Sequence, residues 1–318
     1  MSIHEAVLLA AGRGLKPYPA WDTVEKMLHP VIDRDGVTRP ILAIQCQDFF
    51  RAGIRRVIVV VAPGEEAAYR RQLGELIQFL RQGSSGAAPQ PALADELEQM
   101  LHALHFVVQD EALGIGHAIA CTREAVQGEA FLLSFSDHLL LGPPGGSMSA
   151  ALLALHQRLG GAVSSVEDLP DYLLKRYGVV GAQPLAGADG CWRVQVIAEK
   201  PSPTQAELEL ESPGLRRGRY LCLTGIHCLP SCIFDCLAEQ WQADGPERGG
   251  LVPALRRLAA DERYFAAQIP GRHQDIGTRY GMLEAQLARA LSGPDRSAIL
   301  SRLAALLARE AAFAEGAP

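Results

Sequence analysis

The 318-residue chain lacks the features that mark membrane, secreted and nucleic-acid-binding proteins. No apolar run approaches the ~20 residues of a membrane-spanning helix, and residues 1–5 carry no signal-peptide pattern. The seven cysteines are odd in number and follow no disulfide framework, as in proteins of a reducing compartment. A net charge of −6 leaves no basic excess for nucleic acid. These absences predict a cytoplasmic protein that binds neither membranes nor nucleic acid.

Two common phosphate-binding motifs are also missing. There is no Walker A motif, and a dinucleotide motif needs a third small residue where this chain has Pro17. Instead, the apolar residues 6–11 predict a buried parallel strand. They lead into Gly12 and Gly14, and glycines directly after a strand let backbone N–H groups approach an anion closely.

Two lysines follow these glycines on a stretch stiffened by prolines. Lys16 and Lys26 carry positive charge at a spacing that suits a triphosphate, and Pro19 and Pro30 restrict the chain around them. For the glycine pair alone, an ordinary turn beside solvated lysines is the favoured interpretation. The wider pattern of residues 9–33 is needed to separate these interpretations.

Residues 9–33 resemble the signature of the sugar-phosphate nucleotidyltransferases, which runs L-A-A-G-x-G-T-R-x-x-P and then P-K-x-x-x-P. The chain departs from this signature at Leu15, Lys16 and Glu25, where the family has threonine, arginine and proline. Lysine keeps the charge of arginine but loses its planar two-pronged contact. The resemblance implies the fold, and the departures bear on the rate of catalysis.

Residues 109–120 form a second glycine-containing loop that is aimed at a helix predicted over residues 118–125, after Gly114 and Gly116. The stretch resembles the family's Q-x-x-x-x-G-x-G-H-A segment. That resemblance assigns Gln109 and Gly114 to the pyrimidine base, since a planar amide matches the hydrogen-bonding edge of uracil. Thymine presents the same edge, so this loop cannot separate the two bases.

Two aspartates are candidates for a metal site. An apolar strand over residues 131–137 ends in Asp137, and ligands of open α/β sheets bind at the carboxyl ends of strands. A lone aspartate at such a place is often only a turn residue. Here the resemblance implies that Asp137 and Asp275, the latter in a D-x-G segment, together bind Mg²⁺.

The resemblance also implies a sugar-phosphate site in the second half of the chain. Residues 177–180 match the family's Y-G-V-V, whose glycine, here Gly178, lets a hexose lie against the backbone. Glu199 and Lys200 match its E-K-P, for sugar hydroxyls and the sugar's phosphate respectively. Thr224 falls in a T-G strand that is expected to line the same pocket.

The predicted fold class is α/β, a Rossmann-like mixed and mainly parallel twisted sheet flanked by helices. A helix over residues 41–52 followed by a buried strand over 57–62 is typical of such a sheet. We expect a catalytic domain over residues 1–285 and a helical extension over 286–318. The apolar stripes of the last helices must be covered by the domain or by another subunit, and we expect a homo-oligomer.

The resemblance implies Mg²⁺-dependent transfer of a uridylyl group from UTP to glucose 1-phosphate. Thymidylyl transfer, or another hexose phosphate, is one alternative; a non-catalytic protein that binds nucleotide sugar is another. The implied roles are nucleotide binding for Ala10, Ala11, Gly12 and Gly14, stabilisation of pyrophosphate for Lys16, and contact with the sugar phosphate for Lys26 and Lys200.

Overall fold

The computed structural model describes residues 3–12, 25–83, 88–245, 250–261 and 263–315. Its strands are β1 (Glu5–Leu9), β2 (Pro30–Ile32), β3 (Thr38–Pro40), β4 (Arg56–Val61), β5 (Leu104–Val108), β6 (Ala130–Phe135), β7 (His138–Leu141), β8 (Ala162–Pro170), β9 (Gly178–Pro184), β10 (Cys191–Glu199), β11 (Arg219–Pro230), β12 (Tyr264–Ala267) and β13 (Arg272–Asp275).

Its helices are α1 (Ile41–Arg51), α2 (Glu65–Gln82), α3 (Pro91–Ala103), α4 (Ile115–Ala120), α5 (Met148–Leu159), α6 (Pro203–Glu209), α7 (Ile233–Asp244), α8 (Leu251–Ala260), α9 (Gly281–Ala290) and α10 (Arg296–Glu315). Two short 3-10 turns, Lys26–Leu28 and Asp171–Arg176, also matter for the site. Within the described ranges, no helix combines the length and the apolar character needed to cross a bilayer.

A nine-stranded sheet forms the centre of the protein, in the order β5-β4-β1-β6-β11-β8-β12-β10-β9. The first four strands of this order are parallel to one another. In β4, Val57 and Val59 pack into the core on one face while Ile58 and Val60 pack into the core on the other. A strand buried on both faces needs a continuous apolar run, which is why these strands do not alternate with polar residues.

The second half of the sheet is mostly antiparallel and is organised around the long strand β11. This strand pairs antiparallel with β6, β8 and β9, and β8 pairs in parallel with β12. Because β9 also pairs with β10, and β10 with β12, the pairings from β11 back to β11 close a circuit. The predicted mixed sheet flanked by helices is confirmed, with its parallel part concentrated in the N-terminal half.

Local differences from the sequence-based prediction occur at two loops. Helix α4 begins at Ile115, directly after Gly114 with its φ of 100°, so Gly116 lies inside the helix rather than before it. The helix ends at Ala120 and turns follow, rather than continuing to residue 125. Strand β6 ends at Phe135, which leaves Asp137 on the turn before β7.

Helix α9 is fastened to the N-terminal half by a buried ion pair. The guanidinium of Arg289 donates to Asp33 at 2.5 Å and to the carbonyl of Leu140 at 3.2 Å, and both charged side chains are less than a tenth exposed. Arg39 also contacts Asp33, at 3.3 Å. This pair links helix α9 to the β2–β3 hairpin that follows Lys26.

We expect Arg289→Met to lower the free energy of unfolding by about 2–3 kcal/mol, because it removes charged hydrogen bonds from a buried carboxylate that Arg39 still partly compensates. Urea denaturation followed by circular dichroism measures the change.

The double variant Arg289→Met with Asp33→Asn is the matched control. It removes both charges, so it should recover part of the loss. A single variant as stable as the wild type would contradict this role of the ion pair.

Candidate active site

The predicted nucleotide residues lie at the carboxyl edge of the parallel half of the sheet. Ala10, Ala11 and Gly12 follow β1, and the N–H of Ala10 donates to the carbonyl of Val60 at 2.8 Å. Gln109 follows β5 at the same edge, and its N–H donates to Val61 at 2.9 Å. Gly14 and Lys16 lie outside the described residues.

The Gln109 side chain is buried and already engaged on its nitrogen. Its Nε2 donates to the carbonyl of Gly114 at 3.2 Å, and His117 Nδ1 lies within 2.9 Å of the Glu111 carbonyl. Hydrogen bonds between polar groups of residues 109–117 therefore stabilise the conformation of this loop. With the amide nitrogen used in this way, the amide oxygen of Gln109 remains as the acceptor for a ligand.

The 3-10 turn Lys26–Leu28 presents Lys26 to the same edge. Met27 and Leu28 are buried and anchor the turn, and Glu25 accepts a hydrogen bond of 2.6 Å from Gln72 of α2. Glu25 thus fixes the segment where the family signature has proline. The ammonium of Lys26 contacts Asp137 Oδ1.

Asp137 and Asp275 are 138 positions apart in the sequence, and the pairing of β7 with β13 brings them together. The N–H of Ile276 donates to the carbonyl of Asp137 at 2.8 Å. A Cβ placed on Gly277 would lie 3.2 Å from Asp275 Oδ1 and 3.7 Å from Asp137 Cγ. Both carboxyl groups therefore border one small space that exists because residue 277 has no side chain.

The carboxylate oxygens that border this space are suitable ligands for a divalent cation. Carboxylate oxygens are the ligands that Mg²⁺ prefers, and the ion usually completes its coordination with substrate phosphates and water. In the described part of the chain, no group of three or more histidine, cysteine, aspartate or glutamate side chains is placed to hold a metal. Two carboxylates that leave the remaining positions to phosphates agree with that style of binding.

Each of these carboxylates is paired with a cation of the chain itself. Lys26 contacts Asp137, and Arg176 donates to Asp275 Oδ2 at 2.5 Å. Asp275 Oδ1 accepts the N–H of Gly277 at 3.0 Å. The repulsion between two neighbouring carboxylates is thus compensated within the protein. The sequence motifs did not single out Arg176, whose place beside Asp275 depends on the tertiary structure.

The predicted sugar residues form a wall next to this centre. The N–H of Lys200 donates to the carbonyl of Tyr177 at 3.0 Å, and a Cβ on Gly178 would lie 3.3 Å from Glu199 Oε2. The Glu199 and Lys200 side chains are both more than half exposed, with Nζ and Oε1 3.6 Å apart. The structure therefore brings Gly178, Glu199 and Lys200 together.

Thr224 is placed differently from these three residues. Its hydroxyl is buried and donates to the carbonyl of Ser165 at 3.1 Å, so this group stabilises the β11–β8 pair. Its neighbour Gly225 has a φ of 74° at an irregularity in the strand, and a Cβ there would come within 2.7 Å of the His138 ring. The glycine of this motif makes room for His138.

Two histidines lie next to the two aspartates, on the paired strands β7 and β13. The rings of His138 and His273 lie 5.3 Å apart, and His273 Nδ1 contacts Glu167 at 2.9 Å. Burial, together with the neighbouring His273, lowers the pKa of His138 to about 4. Burial likewise lowers the pKa of His227 to about 3. His138 and His227 are therefore neutral at pH 7.

The site so described belongs to an α/β fold that binds its ligands at the carboxyl edge of a parallel sheet. A model of the nucleotidyl transferase family matches residues 5–290. The chain belongs to this family.

Individual relatives agree with this assignment. The chain is 25% identical over 294 residues to a UTP–glucose-1-phosphate uridylyltransferase of Streptococcus pneumoniae serotype 4, with 92% of each chain covered. It superposes on the UTP-bound UGPase of Acinetobacter baumannii with a TM-score of 0.73 and 25% identity, covering 95% of this chain and 98% of that one. A putative glucose-1-phosphate thymidylyltransferase of Bacillus anthracis shares the fold, with a TM-score of 0.62 and 17% identity over 90% of this chain and 95% of that one.

We expect Gly277→Ala to lower turnover about tenfold or more, because its methyl group would fill the space between the two carboxylates and misplace the reacting groups. Steady-state kinetics measure the change. Gly74→Ala in α2, where an added Cβ meets no atom within 4 Å, is the matched control and should keep full activity. Unchanged turnover in Gly277→Ala would contradict the importance of this space.

We also expect stability to fall with acidification. The pKa values of His138 and His227 in the folded protein lie below their ordinary value of 6.5, so the unfolded chain binds more protons below that pH. The free energy of unfolding should drop by at least about 1 kcal/mol between pH 7 and pH 5, as measured by urea denaturation. His227→Gln should flatten this dependence, and equal stability at both pH values would argue against neutral burial.

Proposed function

We propose that the protein transfers a uridylyl group from UTP to the phosphate of glucose 1-phosphate, giving UDP-glucose and pyrophosphate. The observation that carries this proposal is the meeting of Asp137 and Asp275 around Gly277, beside Lys26 and next to the wall formed by Gly178, Glu199 and Lys200. The family assignment and the uridylyltransferase relatives support the same activity.

Asp137 and Asp275 would hold Mg²⁺. When bound, this ion would neutralise negative charge on the triphosphate as the reaction proceeds. The backbone of residues 10–12, at the end of β1, would receive the phosphates of the nucleotide. Lys16 would stabilise the departing pyrophosphate, and because it is a point charge it offers less directional contact than arginine would.

The two ends of the site would select different substrates. Gln109 would accept the N3–H of uracil with its amide oxygen while Gly114 lets the ring approach the backbone, an arrangement that thymine also satisfies. Glu199 would bind sugar hydroxyls, and Lys200 and Lys26 the sugar's phosphate. The buried hydroxyl of Thr224 would act on this pocket indirectly, through the β11–β8 pair.

The reaction itself needs no nucleophile from the protein. An oxygen of the sugar phosphate would attack the α-phosphorus of UTP, and the bond from that phosphorus to the bridging oxygen of pyrophosphate would break. The protein's contribution would be to align the two substrates and to compensate their charges. Lys26 would exchange its contact with Asp137 for one with substrate phosphate.

Measuring pyrophosphate release tests the proposal, with UTP and dTTP each combined with several hexose 1-phosphates. We expect the fastest release with UTP and glucose 1-phosphate, and a loss of activity with a chelator. Asp275→Asn should lower turnover about a hundredfold or more without unfolding the protein.

Asp235→Asn is the matched control, since Asp235 is an exposed aspartate paired with Arg123 at 2.7 Å at the other end of β6. Its turnover should equal that of the wild type. If the wild type releases no pyrophosphate with any pair, the non-catalytic alternative replaces this proposal. Full activity in excess chelator would overturn the metal assignment.

We further propose that the protein acts as a cytoplasmic homo-oligomer in which residues 286–318 form an extension of the catalytic domain. Support comes from α10, where Leu300, Leu306 and Leu307 are exposed. The boundary at residue 285 falls within α9 and stays a prediction.

A further inference from the structure

Arg176 is a charged residue that contacts the site and that no motif assigns. It ends the 3-10 turn Asp171–Arg176, directly before Tyr177 and the first residue of β9. Its guanidinium carbon lies 5.5 Å from the centre of the Tyr177 ring, and its Nη2 lies 2.5 Å from Asp275 Oδ2. The Arg176 side chain therefore extends from the chain segment next to Gly178 to the proposed metal ligand Asp275.

The contact with Asp275 is one that a divalent cation would disturb. A guanidinium and a metal ion that share one carboxylate repel each other, so each weakens the other's binding. Arg176 is 39% exposed, whereas Asp275 is 18% exposed. The arginine is thus the partner with freedom to move, while the N–H of Gly277 keeps Asp275 in place.

If Arg176 left Asp275, it would still lie next to the residues proposed above to bind the sugar phosphate. The carbonyl of the adjacent Tyr177 holds Lys200 through its N–H, and Lys200 is forced into a φ of 47° at this point. A cation is thus placed on each side of Gly178. Arginine binds phosphate oxygens through two parallel hydrogen bonds, which a lysine cannot provide.

We propose that Arg176 binds the phosphate of the incoming sugar phosphate. In this proposal Arg176 stays paired with Asp275 until the Asp275 carboxylate binds a divalent cation. The proposal rests on the function proposed above. It adds an order of binding: metal binding at Asp275 comes first and releases Arg176, and Arg176 then binds the phosphate of the second substrate.

The first test uses the metal alone. Mn²⁺ binding to the intact protein is measured by electron paramagnetic resonance, without nucleotide or sugar phosphate. Arg176→Ala and Arg176→Gln both remove the competing charge, so we expect each to bind Mn²⁺ about fivefold more tightly than the wild type. Arg123→Ala breaks a comparable ion pair with Asp235 far from the site and should leave Mn²⁺ binding unchanged.

The second test separates the two substrates in the kinetics. Arg176→Ala should raise the KM for glucose 1-phosphate about tenfold or more, through lost charged hydrogen bonds, with the KM for UTP little changed. Arg176→Lys should have a KM for glucose 1-phosphate between those of the wild type and Arg176→Ala, because lysine keeps the charge and loses the two parallel hydrogen bonds of arginine. Arg123→Ala should have wild-type constants.

Equal Mn²⁺ affinity in Arg176→Ala and the wild type, or an unchanged KM for glucose 1-phosphate, overturns the proposal. If the wild type turns over while either result is found, only the role of Arg176 is lost and the proposed function stands. If the wild type has no turnover with any substrate pair, the proposed function itself fails, and the role of Arg176 in it fails too.

Discussion

The site depends on holding two carboxylates of like charge next to each other. Asp137 and Asp275 border the same space at Gly277, and in isolation their repulsion would drive them apart. The protein compensates with one cation on each, Lys26 on Asp137 and Arg176 on Asp275, which come from distant parts of the sequence. The positive charges that the substrate phosphates require are therefore already present as partners of the carboxylates, and in the function proposed above a metal ion would take their place at those carboxylates.

The backbone beneath these carboxylates supplies the rigidity. Antiparallel pairing of β7 with β13 sets Asp275 opposite His138, and the N–H of Ile276 closes the turn onto Asp137. Behind the pair, His138 fits against Gly225, where a side chain would collide with its ring. Histidines that burial keeps neutral fill this region without adding further charge beside the cations.

The departures from the family signature have different structural meanings. Glu25 is integrated into the fold, because Gln72 donates to it and so fixes the turn that carries Lys26. Arg176, which lies outside that signature, adds a guanidinium beside Asp275, and its two-pronged geometry suits a phosphate. At position 16 the signature's arginine is replaced by lysine, which keeps the positive charge without the planar two-pronged contact.

The sequence alone determined the parallel strands, since uninterrupted runs such as residues 57–61 can be buried only on both faces of a sheet. Its resemblance to the family predicted roles for the two aspartates, Gly178, Glu199 and Lys200, because each lies in a short motif that matches the family's, and these roles stay predictions. Only the tertiary structure decided that Arg176 meets Asp275, 99 residues away, and that the hydroxyl of Thr224 turns to Ser165. Local sequence patterns indicate which residues belong to the same helix or strand. Contacts between distant elements depend on the order of the strands in the sheet and on which charged side chains this order brings together.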